Sequence, residues 1–153
     1  CIGGATSLVS ACDIRLATKD AKFSIGETKL GLVADVGVIQ RMPKIVSSGD
    51  MNELALTGRI FDGEHAEKIR FVSKAYGNSD ELFEAGEKLA NEISSNSKRI
   101  VQATKEALEK SSNLTVDQGL DYAKLWSTSF LVSEDLREGV MAFLEKRDPK
   151  FNE

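Results

Sequence analysis

The chain has 153 residues, 41% hydrophobic and 29% charged, the balance of an ordinary soluble globular protein with enough apolar material for one core. Its formal net charge of −4 argues against a nucleic-acid surface, which needs a basic stripe to neutralise phosphates. Cys1 and Cys12, the only cysteines, stand among small apolar residues and point to a reducing compartment rather than a disulfide framework.

The sequence begins at Cys1 with no initiator Met, basic stretch or apolar run, so no signal peptide or targeting segment is visible and an upstream portion is expected to exist. No apolar run approaches the ~18 to 20 residues that would span a bilayer. Residues 3–12 are small and apolar, which predicts a tightly packed buried helix entered through Gly3-Gly4 and closed by Asp13. Ile14–Ala17 and Ala21–Ile25 read as short strands joined by a turn at Thr18-Lys19-Asp20. Residues 26–37 carry three glycines and little periodicity, the mark of a loop before the next helix.

Helical signals dominate the remainder. Asp50 with Glu53 predicts an N-cap box, Asp62 caps a short helix running through Glu67, and Phe71–Tyr76 reads as a strand. Ser79 precedes a stripe of Leu82, Ala85, Leu89 and Ile93; Ile100, Ala103, Ala107 and Leu108 repeat it. Thr115 with Gln118 opens a helix bearing Trp126, and Ser133 caps a last one that Pro149 stops. Residues 1–77 therefore read as an α/β region and 78–153 as a helical extension, whose apolar stripes need the core or another subunit as cover.

The single histidine, His65, is read as a surface residue, so a Ser-His-Asp triad or a Cys-His pair is not expected, and with no second histidine a multi-His metal site is excluded within the chain. Acid–base chemistry must rest on carboxylates. Glu27, just after a strand, and Asp35, in Leu32-Val33-Ala34-Asp35-Val36-Gly37, flank one glycine-rich loop. An acid and a base on opposite sides of a bound chain can move a proton between two carbons, if their surroundings set the two apart. Spacing alone leaves open that both are solvated loop carboxylates, or that Asp35 caps the following helix. Gly3-Gly4 at a helix start can offer a backbone N–H to a developing oxyanion, or can serve only a tight turn; the third glycine of a dinucleotide fingerprint is absent.

Cys1-Ile2-Gly3-Gly4-Ala5-Thr6-Ser7-Leu8, Ala11-Cys12-Asp13-Ile14-Arg15, Ala21-Lys22-Phe23-Ser24 and Gln40-Arg41-Met42-Pro43-Lys44 form a run that resembles the enoyl-CoA hydratase/isomerase (crotonase) superfamily. Glu53-Leu54-Ala55-Leu56-Thr57-Gly58 and Phe143-Leu144-Glu145-Lys146-Arg147-Asp148-Pro149 extend the match over nearly the whole chain. Ala34-Asp35-Val36-Gly37 with Gln40-Arg41, and Gln118-Gly119-Leu120-Asp121-Tyr122 with Trp126, are similar to its dienoyl-CoA isomerase branch. The resemblance implies a partial crotonase fold and an acyl-CoA substrate, with no cofactor beyond the coenzyme A of that substrate. It implies that Gly4 is one of two oxyanion-hole donors for the thioester oxygen, the other belonging to the family's N-terminal half, and that Glu27 and Asp35 are the catalytic carboxylates. Lys146 and Lys150, with Arg147, are expected to help hold CoA phosphates, or simply to complement a helix C-terminus. A trimer or hexamer and a mitochondrial or peroxisomal location follow from the same resemblance; the terminal Phe151-Asn152-Glu153 is not a Ser-Lys-Leu type address.

Three departures stand against the pattern. Ser7 replaces a family carboxylate, and a hydroxyl can hydrogen-bond to substrate but cannot activate water at neutral pH, so hydratase activity is not expected. Ala5 replaces the third glycine. Arg70 stands where a glycine usually follows the preceding helix, a change that costs on the order of 1 kcal/mol if φ is positive. These departures keep two alternatives in view, a 3-enoyl-CoA isomerase using Glu27 alone and a non-catalytic acyl-CoA-binding or assembly subunit.

Overall fold

A computed structural model describes residues 1–151; Asn152 and Glu153 of the terminal tripeptide lie outside the described residues. The chain forms two compact units, Cys1–Gly86 and Glu87–Glu153. The first carries α1 (Gly4–Val9), β1 (Leu16–Thr18), β2 (Lys22–Phe23), α2 (Val38–Arg41), α3 (Ser48–Thr57), β3 (Phe61–Asp62), α4 (Gly63–Lys68) and β4 (Lys74–Tyr76). Helix α5 (Ser79–Ser94) runs through the division, and α6 (Lys98–Ser111), α7 (Val116–Thr128) and α8 (Glu134–Glu145) make up the second unit.

The strands pair non-locally. β1 and β4 run parallel with Ala17 opposite Ala75, and β2 and β3 antiparallel with Phe23 opposite Phe61. Chain crossing from β1 to β4 through α4 brings Gly63 against the β1 backbone: a Cβ there would lie 1.9 Å from the Thr18 carbonyl oxygen, so only glycine fits. The core gathers Phe23, Phe61 and Phe71, whose ring centroids lie 5.5 to 6.1 Å apart, with Ile25, Val38, Met42 and Leu54 around them.

Several boundaries differ from the sequence expectations, each for a local reason. Helix α1 ends at Val9 rather than Cys12, because the Ala11 and Cys12 amides bond to Leu8 and Val9 and tighten the chain into a 3-10 turn. The helix is also buried on one side only, with Leu8 exposed. Strand β1 starts at Leu16, not Ile14, since Arg15 turns its guanidinium back to the Cys12 and Phe71 carbonyls and over the Phe71 ring. Phe71 and Val72 are buried but precede β4, in the chain reversal that Arg70 makes at φ 64°.

The cap of α3 lies three residues earlier than expected. Ser47 Oγ accepts from the Asp50 amide at 3.1 Å and donates to the Asp50 carboxylate at 2.6 Å, so Asp50 is the reciprocal partner and not the cap. Asp62 does cap α4, accepting from the His65 amide at 2.9 Å. His65 is not a plain surface residue: its ring meets Phe61 edge-on at 5.9 Å and Nε2 is buried.

In the second unit, Thr115 and Gln118 close the expected capping box of α7, and Ser133 caps α8. Ser97 caps α6 and donates to Asp135 at 2.6 Å, while Trp126 Nε1 donates to the Ala103 carbonyl at 3.0 Å. These two bonds pin α8 and α7 to α6. Helix α8 stops at Lys146, which adopts φ 56°, before the chain reaches Pro149. No described helix is long and apolar enough to cross a membrane.

Candidate active site

The site begins at the entrance to α1. Gly3 has φ 60° and ψ −125°, a conformation that side chains avoid, and its amide donates to the Ser24 carbonyl at 2.8 Å. Ile2 pairs with Ser24 as an isolated bridge, and Thr6 Oγ1 donates to both the Cys1 and the Ser24 carbonyls. Helix α1 is thereby fixed to the segment that leads into Glu27. Gly4 follows as the first helical residue, where an amide has no acceptor within its own helix. A Cβ on Gly4 would meet nothing within 4 Å, so the side of the helix start at Gly4 is open.

Glu27 sits in a 3-10 turn, Gly26–Leu30, ended by Gly31 at φ 73°. The turn is tied to α3 by Thr28 Oγ1, which donates to the Ala55 carbonyl at 2.7 Å. Its carboxylate lies over Gly3: a Cβ built on Gly3 would be 3.5 Å from Glu27 Oε1. Glu27 Oε2 is buried without a hydrogen-bond partner. Glu27 and the start of α1 are therefore together, as the proposed pairing of a carboxylate with an oxyanion donor requires.

Asp35 is exposed, between Ala34 and Val38, which are both in the core. Burial of these neighbours sets where it stands. It does not cap the next helix, since Gly37 is the N-cap of α2 at φ 103°. Arg41 closes the loop, donating from Nη1 to the Val36 carbonyl at 3.1 Å and lying so near Gly37 that a Cβ would be 2.2 Å from it.

Ser7 is wholly buried on α1, one turn beyond Gly3. Lys146 and Lys150 belong to the second unit, and Gly4, Glu27 and Asp35 to the first. Both are exposed; the Lys150 amide donates to Glu138 at 2.7 Å. Arg147 holds the same Glu138 through two bonds, at 2.6 and 3.1 Å, and keeps its carboxyl down at about 2, the Lys150 amide adding to the effect. Arg147 is thus engaged within its own unit, and sequence reasoning did not find Glu138, which has no motif of its own.

Trp126 and Phe130 line an open apolar groove of about 680 Å³ in the second unit, with Ile100, Val140 and Phe143. Among the described residues, no group of three or more His, Cys, Asp or Glu side chains is placed to hold a metal ion.

A small α/β unit with a glycine-entered helix against a carboxylate turn is followed along the chain by a helical unit. The chain belongs to the enoyl-CoA hydratase/isomerase family, whose model matches residues 1–153. It is 48% identical to the mitochondrial Delta(3,5)-Delta(2,4)-dienoyl-CoA isomerase of Dictyostelium discoideum, over 99% of this chain and 52% of that protein. It is 44% identical to the peroxisomal isomerase of the same name from Arabidopsis thaliana, over 99% of this chain and 54% of that protein. The enoyl-CoA hydratase of Bacillus anthracis superposes with a TM-score of 0.93 at 31% identity, covering 98% of this chain and 58% of that one. The chain spans about half the length of the curated relatives it matches.

Proposed function

We propose that the protein carrying this chain is an isomerase of unsaturated fatty acyl-CoA esters in fatty acid oxidation, converting 3,5-dienoyl-CoA to 2,4-dienoyl-CoA. The observation that carries this reading is Glu27, with its partnerless carboxylate oxygen against the glycine entrance of α1. The dienoyl-CoA isomerase names of the relatives at 48% and 44% identity support it.

In this reading the Gly4 amide donates to the thioester oxygen and stabilises the dienolate that forms there. Glu27 removes a proton from C2, the electron pair shifts along the conjugated chain, and Asp35 delivers a proton to C6. The substrate's atoms and electrons balance, and before the next turnover Glu27 releases its proton to solvent while Asp35 takes one up, so the step calls on no metal or redox cofactor. The second oxyanion donor comes, as in the family, from residues outside this chain. Ser7 is a neutral, buried group where the family carries a carboxylate, and Lys146 and Lys150 contribute to holding CoA phosphates. Exposure of Phe143 and Leu144 on α8 supports assembly into a trimer or hexamer. A mitochondrial or peroxisomal location belongs to the same proposal, following the compartments in the relatives' names.

The test is diene migration in the protein that carries this sequence, followed by the absorbance of the conjugated 2,4-dienoyl thioester. Glu27→Gln and Asp35→Asn are each expected to lower kcat by about 10²- to 10⁴-fold, the range for loss of a positioned acid or base. Unchanged rates in both variants sink the mechanism. Loss in Glu27→Gln alone, with turnover of 3-enoyl-CoA, gives the single-carboxylate isomerase; acyl-CoA binding without turnover of any unsaturated ester gives the non-catalytic subunit.

A further inference from the structure

Buried hydroxyls in the first unit follow one rule, and Ser7 breaks it. Thr6 donates to the Cys1 and Ser24 carbonyls, Ser10 to the Ser7 carbonyl at 2.6 Å, and Ser24 to the Gly58 carbonyl at 3.1 Å. Ser7 is 0% exposed, yet its Oγ has no hydrogen-bond partner. A helical serine commonly satisfies itself on the carbonyl four residues back, here that of Gly3, which already accepts from both the Thr6 amide at 2.8 Å and the Ser7 amide at 3.2 Å. A buried hydroxyl left unpaired is costly, and each instance in a folded protein calls for a reason.

The reason lies one helical turn away. Residues 3 and 7 share a face of α1, and the Gly3 end of that face is covered by the Glu27 carboxylate, 3.5 Å from the Gly3 Cβ position. Glu27 Oε2 is also buried and unpartnered. A carboxylate can only accept and a hydroxyl can donate, so the two unpaired groups are complementary. We propose that Ser7 is a positioning residue for Glu27, its hydroxyl donating to the carboxylate through one water molecule. This rests on the proposed role of Glu27 as the proton-transferring group. Ser7 orients that carboxylate without placing a second negative charge beside it, which an acidic residue at the same place would do.

A double-mutant cycle on urea midpoints tests the contact without relying on turnover. The four proteins are the unaltered one, Ser7→Ala, Glu27→Met, which keeps side-chain length and has no oxygen, and the double variant. Ser7→Ala is expected to lower the midpoint when Glu27 is present, and to leave it unchanged or raise it when residue 27 has been replaced by Met. Equal shifts in the two backgrounds overturn the proposal. Where the unaltered protein isomerises dienoyl-CoA, Ser7→Ala is further expected to reduce kcat about tenfold with KM within twofold, in line with a misaligned base; an unchanged kcat also overturns it. Absence of any turnover in the unaltered protein counts against the proposed function alone, because the cycle still reads the contact.

Discussion

Replacing Arg70 by glycine should make the protein more stable, although it deletes a long side chain. Arg70 is exposed, follows α4 at φ 64°, and donates its amide to the Glu67 carbonyl at 2.9 Å, so its backbone is held in the left-handed region by the chain reversal. For a residue with a Cβ that region costs roughly 1–2 kcal/mol. Glycine removes this cost but gains freedom in the unfolded chain, worth about 0.4–1 kcal/mol in the other direction. Taking the middle of each range, the net gain is about 0.5–1 kcal/mol. With a urea m-value of ~1–3 kcal/mol/M, the midpoint should rise by about 0.2–1 M with m unchanged. In a thermal scan the same gain raises Tm by about 1–4 °C. Urea unfolding followed by far-UV circular dichroism reads this directly. A midpoint that stays or falls would refute the reasoning, and would mean that the guanidinium stabilises the fold by more than the backbone costs.

Gly63→Ala should act in the opposite direction: its Cβ would enter the Thr18 carbonyl, and displacing β1 or α4 costs about 1–3 kcal/mol, measured by the same urea midpoint. Ser47→Ala removes the cap of α3 and should cost about 1 kcal/mol, whereas capping at Asp50 would have left this variant near neutral. Glu138 has its carboxyl lowered from 4.5 to about 2 by Arg147 and the Lys150 amide, so its ionised form favours the folded state. That stabilisation is present above about 4.5 and is lost as pH falls toward about 2. Tm measured from pH 5 to pH 2 should therefore fall less steeply in Glu138→Gln than in the unaltered protein; parallel curves would contradict the assignment.

Local chemistry made much of this legible in the sequence. The box of Thr115 and Gln118 and the caps at Asp62 and Ser133 involve residues three apart, and each forms the bond expected; the Ser97 cap has the same local form but is not among the sequence expectations. Asp50 misled because an acidic residue at the third helical position has the same local signature as a cap. Strand limits were harder: Ile14 and Phe71 are apolar enough for strands, but Arg15 ties the two segments together across 56 residues and bends both.

The pattern of residues by itself determined the fold class, the family and the set of candidate side chains, because motif and periodicity are properties of neighbours along the chain. Tertiary structure decided which of those candidates meet. It set Glu27 over Gly3, buried Ser7 without a partner, and engaged Arg147 with Glu138. It also turned His65 onto Phe61 and required glycine at residue 63. For Glu27 over Gly3 and for Gly63 against Thr18 the reason is that burial and close approach depend on atoms brought together from distant points of the chain. The His65 and Arg147 contacts instead lie within one short stretch and depend on how the chain turns there.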